Sequence, residues 1–187
     1  MSIKIYIGPM FSGKTTNMIL NVQKESFTMA PALIIKWRGD NRYGDGDVVY
    51  THSLISQAND AGHEHRAQIR VVCAEKLEEV DGTLTEEIIG IDEGQFFPDL
   101  IKYCDKWVNQ GRKIIIAALD GDYLRRPFGQ ICELIPNCES ITKCTGVCMI
   151  CKKNDSVFTS RIDKTNTKLI SEGGVGQYLG VCRVCYK

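Results

Sequence analysis

No stretch of this sequence stays apolar for long enough to cross a bilayer. The longest run, Ile114-Ile115-Ile116-Ala117-Ala118-Leu119, falls far short of the roughly 20 residues that a spanning helix needs. No charged leader precedes the first apolar stretch, so the secretory pattern is missing. A soluble, cytoplasmic protein with no membrane partner is expected. Net charge is missing too: 23 Lys and Arg balance 23 Asp and Glu, and no overall field draws the chain to nucleic acid. Internal repeats and low-complexity segments are absent, which excludes solenoids and tethers. Histidine is scarce, and His52, His63 and His65 show no nucleophile or ligand pattern.

What remains is ordinary globular material. The 187 residues, 43% apolar and 25% charged, suffice for one core of usual size with a small appendage. Cysteine is the exception. Nine cysteines in a chain without an export signal would stay largely reduced, so metal ligation or burial outranks disulfide formation.

The coarse pattern is strand, loop, helix, repeated. Residues 3–7 form an apolar run of the kind a parallel strand covered on both faces requires. Residues 15–27 can follow as a helix, with Met18, Ile19 and Val22 on one face. Further strands are expected at 32–37, 70–73, 88–91 and 113–119, with a loop rich in Gly and Asp at 38–47. Pro98 stands where a first helical residue would, Leu100, Ile101, Cys104, Trp107 and Val108 supply the apolar face, and Gly111 is placed to end that helix. Strands alternating with helices predict an α/β fold with a parallel sheet flanked by helices. After about residue 142 the texture changes to cysteine pairs, Lys, Thr and Gly. The expected division is 1–142, a nucleotide-binding α/β domain, and 143–187, a small metal-binding domain.

Gly8-Pro9-Met10-Phe11-Ser12-Gly13-Lys14-Thr15 fits the phosphate-loop pattern G-x-x-x-x-G-K-[ST] and lies between the first strand and the first helix. The glycines let backbone N–H groups turn inward, and the helix presents its positive end at the same point. Lys14, expected as an exposed loop lysine, would reach the terminal phosphates of ATP. Thr15 would ligate Mg²⁺. A second carboxylate for the metal stands in the stretch Ile88-Ile89-Gly90-Ile91-Asp92-Glu93-Gly94-Gln95-Phe96-Phe97, where Asp92 and Glu93 end an apolar strand at the edge that holds ligands in α/β sheets. Asp92 can hold Mg²⁺ through water, which leaves Glu93 to accept a proton from an attacking hydroxyl.

Cys148-Met149-Ile150-Cys151 and Cys182-Arg183-Val184-Cys185 are two C-x-x-C knuckles, the ligand set of a structural four-thiolate Zn²⁺ site. The long span between them suggests a flap or hairpin. A redox-active pair is the rival reading. Cys73, Cys104, Cys132, Cys138 and Cys144 lack paired spacing and default to buried thiols.

With these motifs in place, the chain resembles the thymidine kinases that pair a P-loop domain with a zinc-bearing lasso domain. The resemblance runs through GPMFSGKTT, DNRYG, THS, GIDEGQFFPD, AALDGDYLRRPFG, VCMIC and VCRVCY, in family order along nearly the whole sequence. It implies transfer of the ATP γ-phosphate to the 5′-hydroxyl of thymidine, with Glu93 as base. It also implies that Asp40, Asn41, Arg42 and Gln95 line the phosphate side, where Arg42 neutralises charge in the transition state. By the same resemblance Met10, Phe96, Leu119, Tyr123, Phe128 and Tyr178 wall the thymine pocket, Thr159 belongs to the substrate-binding set, and Leu169, Ile170, Ser171, Glu172 and Gly173 offer backbone groups to the base edge. A homotetramer is expected on this ground alone. Three positions depart from the family pattern: Tyr123 replaces a common Phe, Ser53 replaces an acidic residue after Thr51-His52, and Ser171-Glu172-Gly173-Gly174 replaces a more apolar run.

Two other classes stay open at this point. A P-loop NTPase whose zinc module binds nucleic acid would carry the same motifs, and Lys152, Lys153, Lys164 and Lys168 lean that way. The balanced charge and the shortage of stacking aromatics beyond residue 142 speak against it. A regulatory nucleotide-binding module without transfer chemistry is the second, and Glu93 beside Asp92 speaks against that.

Overall fold

Alternating burial along β1 (Ser2–Ile7) buries Ile3, Ile5 and Ile7 on one face, while Lys4 and Tyr6 stay half-buried on the other. The expected continuous apolar run is therefore an alternating one. Its second face is covered through polar groups of the first helix, α1 (Lys14–Ser26). The Lys4 ammonium donates to Glu25 at 2.9 Å, and Asn21 Nδ2 donates to the Tyr6 hydroxyl at 2.9 Å. The structure, a computed structural model, describes residues 1–27, 30–39, 69–163 and 177–187.

Five further strands join β1: β2 (Ala32–Trp37), β3 (Ile69–Ala74), β4 (Ile88–Ile91), β5 (Lys113–Ala118) and β6 (Ser140–Lys143). Their order is β3-β2-β4-β5-β1-β6, and every neighbouring pair is parallel. The α/β class read from the alternating pattern is the one observed. The C-terminal ends of β1, β4 and β5 therefore lie side by side, with Ile5 opposite Ile116 and Ile91 opposite Ile116 in turn.

Each face of the sheet is sealed by a helix whose apolar spacing was legible in advance. On one face, Met18, Ile19 and Val22 of α1 pack against Ala32, Ile34, Ile88 and Ile115. On the other, Leu100, Tyr103, Cys104 and Trp107 of α2 (Leu100–Asn109) cover Ile3, Leu33, Ile89 and Ile114. At roughly 1.5–3 kcal/mol per fully buried large apolar side chain, these two interfaces carry the fold. Pro98 and Asp99 form the turn ahead of α2 rather than its first residue. The Asp99 carboxylate is used elsewhere, accepting from the Leu77 and Glu78 N–H groups at 3.1 and 3.0 Å. Gly111, at φ 95°, follows the end of α2 as expected.

Beyond β6 the chain forms two small antiparallel pairs. β7 (Gly146–Val147) pairs with β8 (Asp155–Ser156), and β9 (Phe158–Arg161) with β10 (Tyr178–Val181). Among the described residues no helix is long and apolar enough to cross a membrane.

Candidate functional site at the strand ends

The loop between β1 and α1 is held by its own backbone. Gly8 has φ 147°, and a Cβ there would lie 2.3 Å from the carbonyl oxygen of Cys144, just past β6, so only glycine fits at this point. Gly13 caps α1 from the left-handed region. The Pro9 carbonyl accepts from Ser12 Oγ at 2.8 Å and from Lys14 Nζ at 2.7 Å. Lys14 is accordingly buried, which corrects the expectation of an exposed lysine. The first helical position and the bond back to Pro9 fold its aliphatic stem over the loop.

Thr15 faces the acidic strand end. Its hydroxyl donates to Asp92 Oδ1 at 2.8 Å, and the same oxygen accepts from the Glu93 N–H at 3.1 Å. Asp92 is itself set by its N–H, which donates to the Ile35 carbonyl at 2.9 Å. Glu93 takes φ 54°, a left-handed conformation uncommon for a residue with a Cβ. That turn leads into a short 3₁₀ segment, Gly94–Phe96. Gln95 Nε2 donates to Glu93 Oε2 at 2.5 Å, and Gln95 Oε1 accepts from the Leu119 N–H at 2.9 Å. Asp92, Glu93 and Gln95 are all buried.

Leu119 begins the adjoining apolar cluster, where Met10, Leu119 and Tyr178 pack with Tyr123 and Phe128. Phe96 joins from one side, edge-on to Phe128 at 5.4 Å between centroids and stacked on Trp37 at 4.2 Å. Thr159 is buried in β9 beside this cluster. Its Oγ1 accepts from the Met10 N–H at 3.0 Å and so ties β9 to the loop. This cluster, drawn from distant parts of the sequence, connects to the Glu93 carboxylate through Gln95 and Leu119. Asp40, Asn41 and Arg42, together with 169–173 and the three histidines, lie outside the described residues.

Four cysteines form the second cluster. The Sγ atoms of Cys148, Cys151, Cys182 and Cys185 all lie within 4.8 Å of one another and could hold a metal ion. Cys151 and Cys182 are 3.9 Å apart, close to the sulfur separation of about 3.8 Å in a tetrahedral site with bonds of about 2.3 Å. Burial opposes ionisation of Cys148, but the N–H groups of Cys151, Cys182 and Ile150 outweigh it and bring the thiol down to about 6. The Cys185 N–H lowers Cys182 likewise. Burial and its thiol neighbours push Cys185 up to about 12. Four sulfurs this close cannot all ionise without a cation among them.

The cysteine unit also leans on the loop at residues 8–15. A Cβ on Gly146 would stand 2.6 Å from the Phe11 carbonyl oxygen. Tyr186, next to Cys185, donates its hydroxyl to the Tyr123 carbonyl at 2.8 Å. Sequence patterns give no hint of this bond, or of the places of Trp37 and Arg161 against the aromatic cluster. Each contact joins residues that neither periodicity nor motif spacing relates.

The family model for thymidine kinase matches residues 1–186. The chain belongs to the thymidine kinase family. It is 42% identical over 186 residues to a thymidine kinase of Rabbit fibroma virus (strain Kasza), covering 98% of this chain and 95% of that one. A thymidine kinase of Yaba monkey tumor virus (strain VR587) is also 42% identical over 186 residues, covering 98% and 93%. A thymidine kinase of Myxoma virus (strain Lausanne) is 39% identical over 186 residues. In this thymidine kinase family member, three of the motifs that carried the resemblance, GPMFSGKTT, GIDEGQFFPD and AALDGDYLRRPFG, follow the neighbouring strands β1, β4 and β5 or include their ends.

Proposed function

We propose that this chain transfers the γ-phosphate of ATP to the 5′-hydroxyl of thymidine and releases thymidine monophosphate. The observation that carries this reading is the adjacency of Glu93 to both halves of the site. Its backbone is tied to Asp92 and Thr15, and its carboxylate is tied through Gln95 to Leu119 in the apolar cluster.

In this reading residues 8–15 and Gln95 serve the nucleotide side, with Asp40, Asn41 and Arg42 completing it. Lys14 leaves the Pro9 carbonyl to meet the phosphates. Thr15 and Asp92 offer neighbouring oxygens suited to Mg²⁺, and the bound ion supplies charge neutralisation at the phosphates. The nucleoside enters the cluster of Met10, Phe96, Leu119, Tyr123, Phe128 and Tyr178, with Thr159 and residues 169–173 at its edge. Glu93 accepts the 5′-hydroxyl proton as that oxygen attacks the γ-phosphorus and the bond from the γ-phosphorus to the bridging oxygen breaks, with ADP as the leaving group. A fixed carboxylate at that point contributes about 10²–10⁴-fold. The apolar walls exclude competing water.

Zn²⁺ fits the four thiolates and fastens 143–187 onto the nucleotide unit, 1–142, in a structural role. Assembly as a cytoplasmic homotetramer with no nucleic-acid partner belongs to the same reading and rests on family resemblance. The deciding assay mixes the protein with Mg-ATP and a nucleoside panel and follows nucleoside monophosphate. ATP consumption without a phosphorylated nucleoside would refute the transfer.

A further inference from the structure

Arg161 is 5% exposed, yet no step of the transfer uses it. It closes β9 directly opposite Tyr178 of β10 in the antiparallel register. Its Nη2 donates to the Tyr178 hydroxyl oxygen at 2.8 Å. Its Cζ lies 3.9 Å from the centroid of the Tyr123 ring and 5.3 Å from that of Tyr178. One buried cation therefore touches two aromatic members of the apolar cluster, and these come from separate parts of the chain.

We infer that Arg161 is the positioning residue for the nucleoside: it sets the Tyr123 and Tyr178 rings in one fixed relation, so that together they present a single surface to the pyrimidine. The inference rests on the reading of this cluster as the nucleoside pocket. Three physical arguments carry it. A buried guanidinium is costly to desolvate and is sustained only by its partners, among which are the Tyr178 hydroxyl and the Tyr123 ring. The anchor is firm at one end, because Arg161 belongs to a paired strand whose neighbour Thr159 is buried and bonded to the Met10 N–H. The contacts are also of two kinds that a planar fork can make together: a ring-face contact to Tyr123 and a directed hydrogen bond to Tyr178.

The hydrogen bond has a direction. Guanidinium has donors only, so the Tyr178 oxygen accepts and its own proton turns away from Arg161. The loop carrying Tyr123 is held otherwise at its backbone, by Tyr186 on the Tyr123 carbonyl and by Asp122 on the Leu124 and Arg126 N–H groups at 2.8 Å each. Those bonds place the loop. The ring itself packs in the apolar cluster and is met on its face by Arg161. Lysine could not substitute fully, since a compact ammonium on a flexible stem serves one partner at a time.

The test compares Arg161→Met, Arg161→Lys, Tyr178→Phe and Phe128→Leu as full-length protein with metal content checked, varying thymidine and ATP separately. Arg161→Met should raise the thymidine KM about tenfold while kcat and the ATP KM stay within about twofold, and Arg161→Lys should recover part of the loss. Tyr178→Phe should raise the thymidine KM in the parent but add less than about twofold to Arg161→Met, because the two act as one unit. A thymidine KM unchanged in both Arg161 variants, with Phe128→Leu raising it, overturns the inference and leaves the pocket reading standing. If Phe128→Leu is inert as well, the pocket reading falls and takes the inference with it. If both KM values rise together, Arg161 is a folding residue and the inference fails. Should the Met variant not fold, the Lys variant carries the same comparison.

Discussion

Gln95 holds the carboxylate of Glu93 by a 2.5 Å hydrogen bond while its own carbonyl accepts from the Leu119 N–H. The carboxylate assigned as base is thereby linked, through a buried amide, to the strand end that carries Leu119. Glu93→Gln should lower kcat by about 10²–10⁴-fold with little change in either KM, since a base acts in the transition state. Gln95→Leu should lower kcat too, and it should destabilise the fold by about 1–3 kcal/mol because the Leu119 N–H loses its acceptor. Steady-state kinetics and urea unfolding on the two variants separate these effects. A change confined to KM in Glu93→Gln would recast Glu93 as a binding residue.

Lys14→Met should abolish most transfer while the fold persists. The buried stem of Lys14 is replaced by one of similar shape, and the ammonium that bonds the Pro9 carbonyl is lost. We expect kcat/KM to fall by at least about 10²-fold, as for removal of a transition-state charge partner. Circular dichroism should show a melting temperature within a few degrees of the parent, roughly the scale of a 1 kcal/mol change. Turnover at the parent rate would defeat the assignment of residues 8–15 to phosphate.

Tyr123→Phe addresses a departure from the family pattern. No described residue bonds the Tyr123 hydroxyl; the Tyr186 bond goes to the Tyr123 carbonyl, and Arg161 meets the ring face. Phenylalanine keeps both contacts. Thymidine kcat/KM should stay within about threefold, less than the loss of an ordinary hydrogen bond of about 1 kcal/mol would produce. A tenfold fall would assign the hydroxyl to the substrate.

Metal removal should act on both ligands, unequally. The four thiols bracket a unit that supplies Thr159, Arg161 and Tyr178, and Thr159 holds the Met10 N–H in the loop of residues 8–15. Cys151→Ala should therefore lose bound zinc, abolish measurable thymidine binding and weaken ATP binding by a smaller factor, because a structural site contributes folding free energy directly. Elemental analysis and calorimetric titration of both ligands on one sample decide it. Retained thymidine affinity in a zinc-free variant would detach the cysteine cluster from the pocket.

Acid should release one clamp on the sheet. Glu25 receives Lys113 at 2.5 Å and Lys4 at 2.9 Å, and the Lys113 hydrogen bond, followed by that of Lys4, holds its carboxyl below the ordinary 4.5. A lowered folded-state value means stability that is present above 4.5 and lost as pH falls through the folded value. Both lysines are a third or more exposed, so the clamp is worth about 0.5–1 kcal/mol after solvent screening. Urea unfolding should place Glu25→Gln below the parent at pH 7 by that amount, with the gap closing as pH drops below 4.5. A gap independent of pH would assign the effect to packing.

The sequence alone determined the elements and the chemistry types. Residues 32–37 and 88–91 read as strands and are β2 and β4, because β-branched and large apolar side chains crowd a strand buried on both faces. Met18, Ile19 and Val22 marked the buried face of α1 because helical spacing is a local property. The four clustered cysteines were legible since each knuckle is contiguous. Tertiary structure decided everything that depends on distant segments meeting. It buried Lys14 against its own loop and split β1 into an apolar face and a face that bonds α1. It also aligned Gln95 between Glu93 and Leu119, and slid Arg161 over Tyr123. Such contacts obey no period, because they depend on strand order and on the parallel register that sets the ends of β1, β4 and β5 side by side.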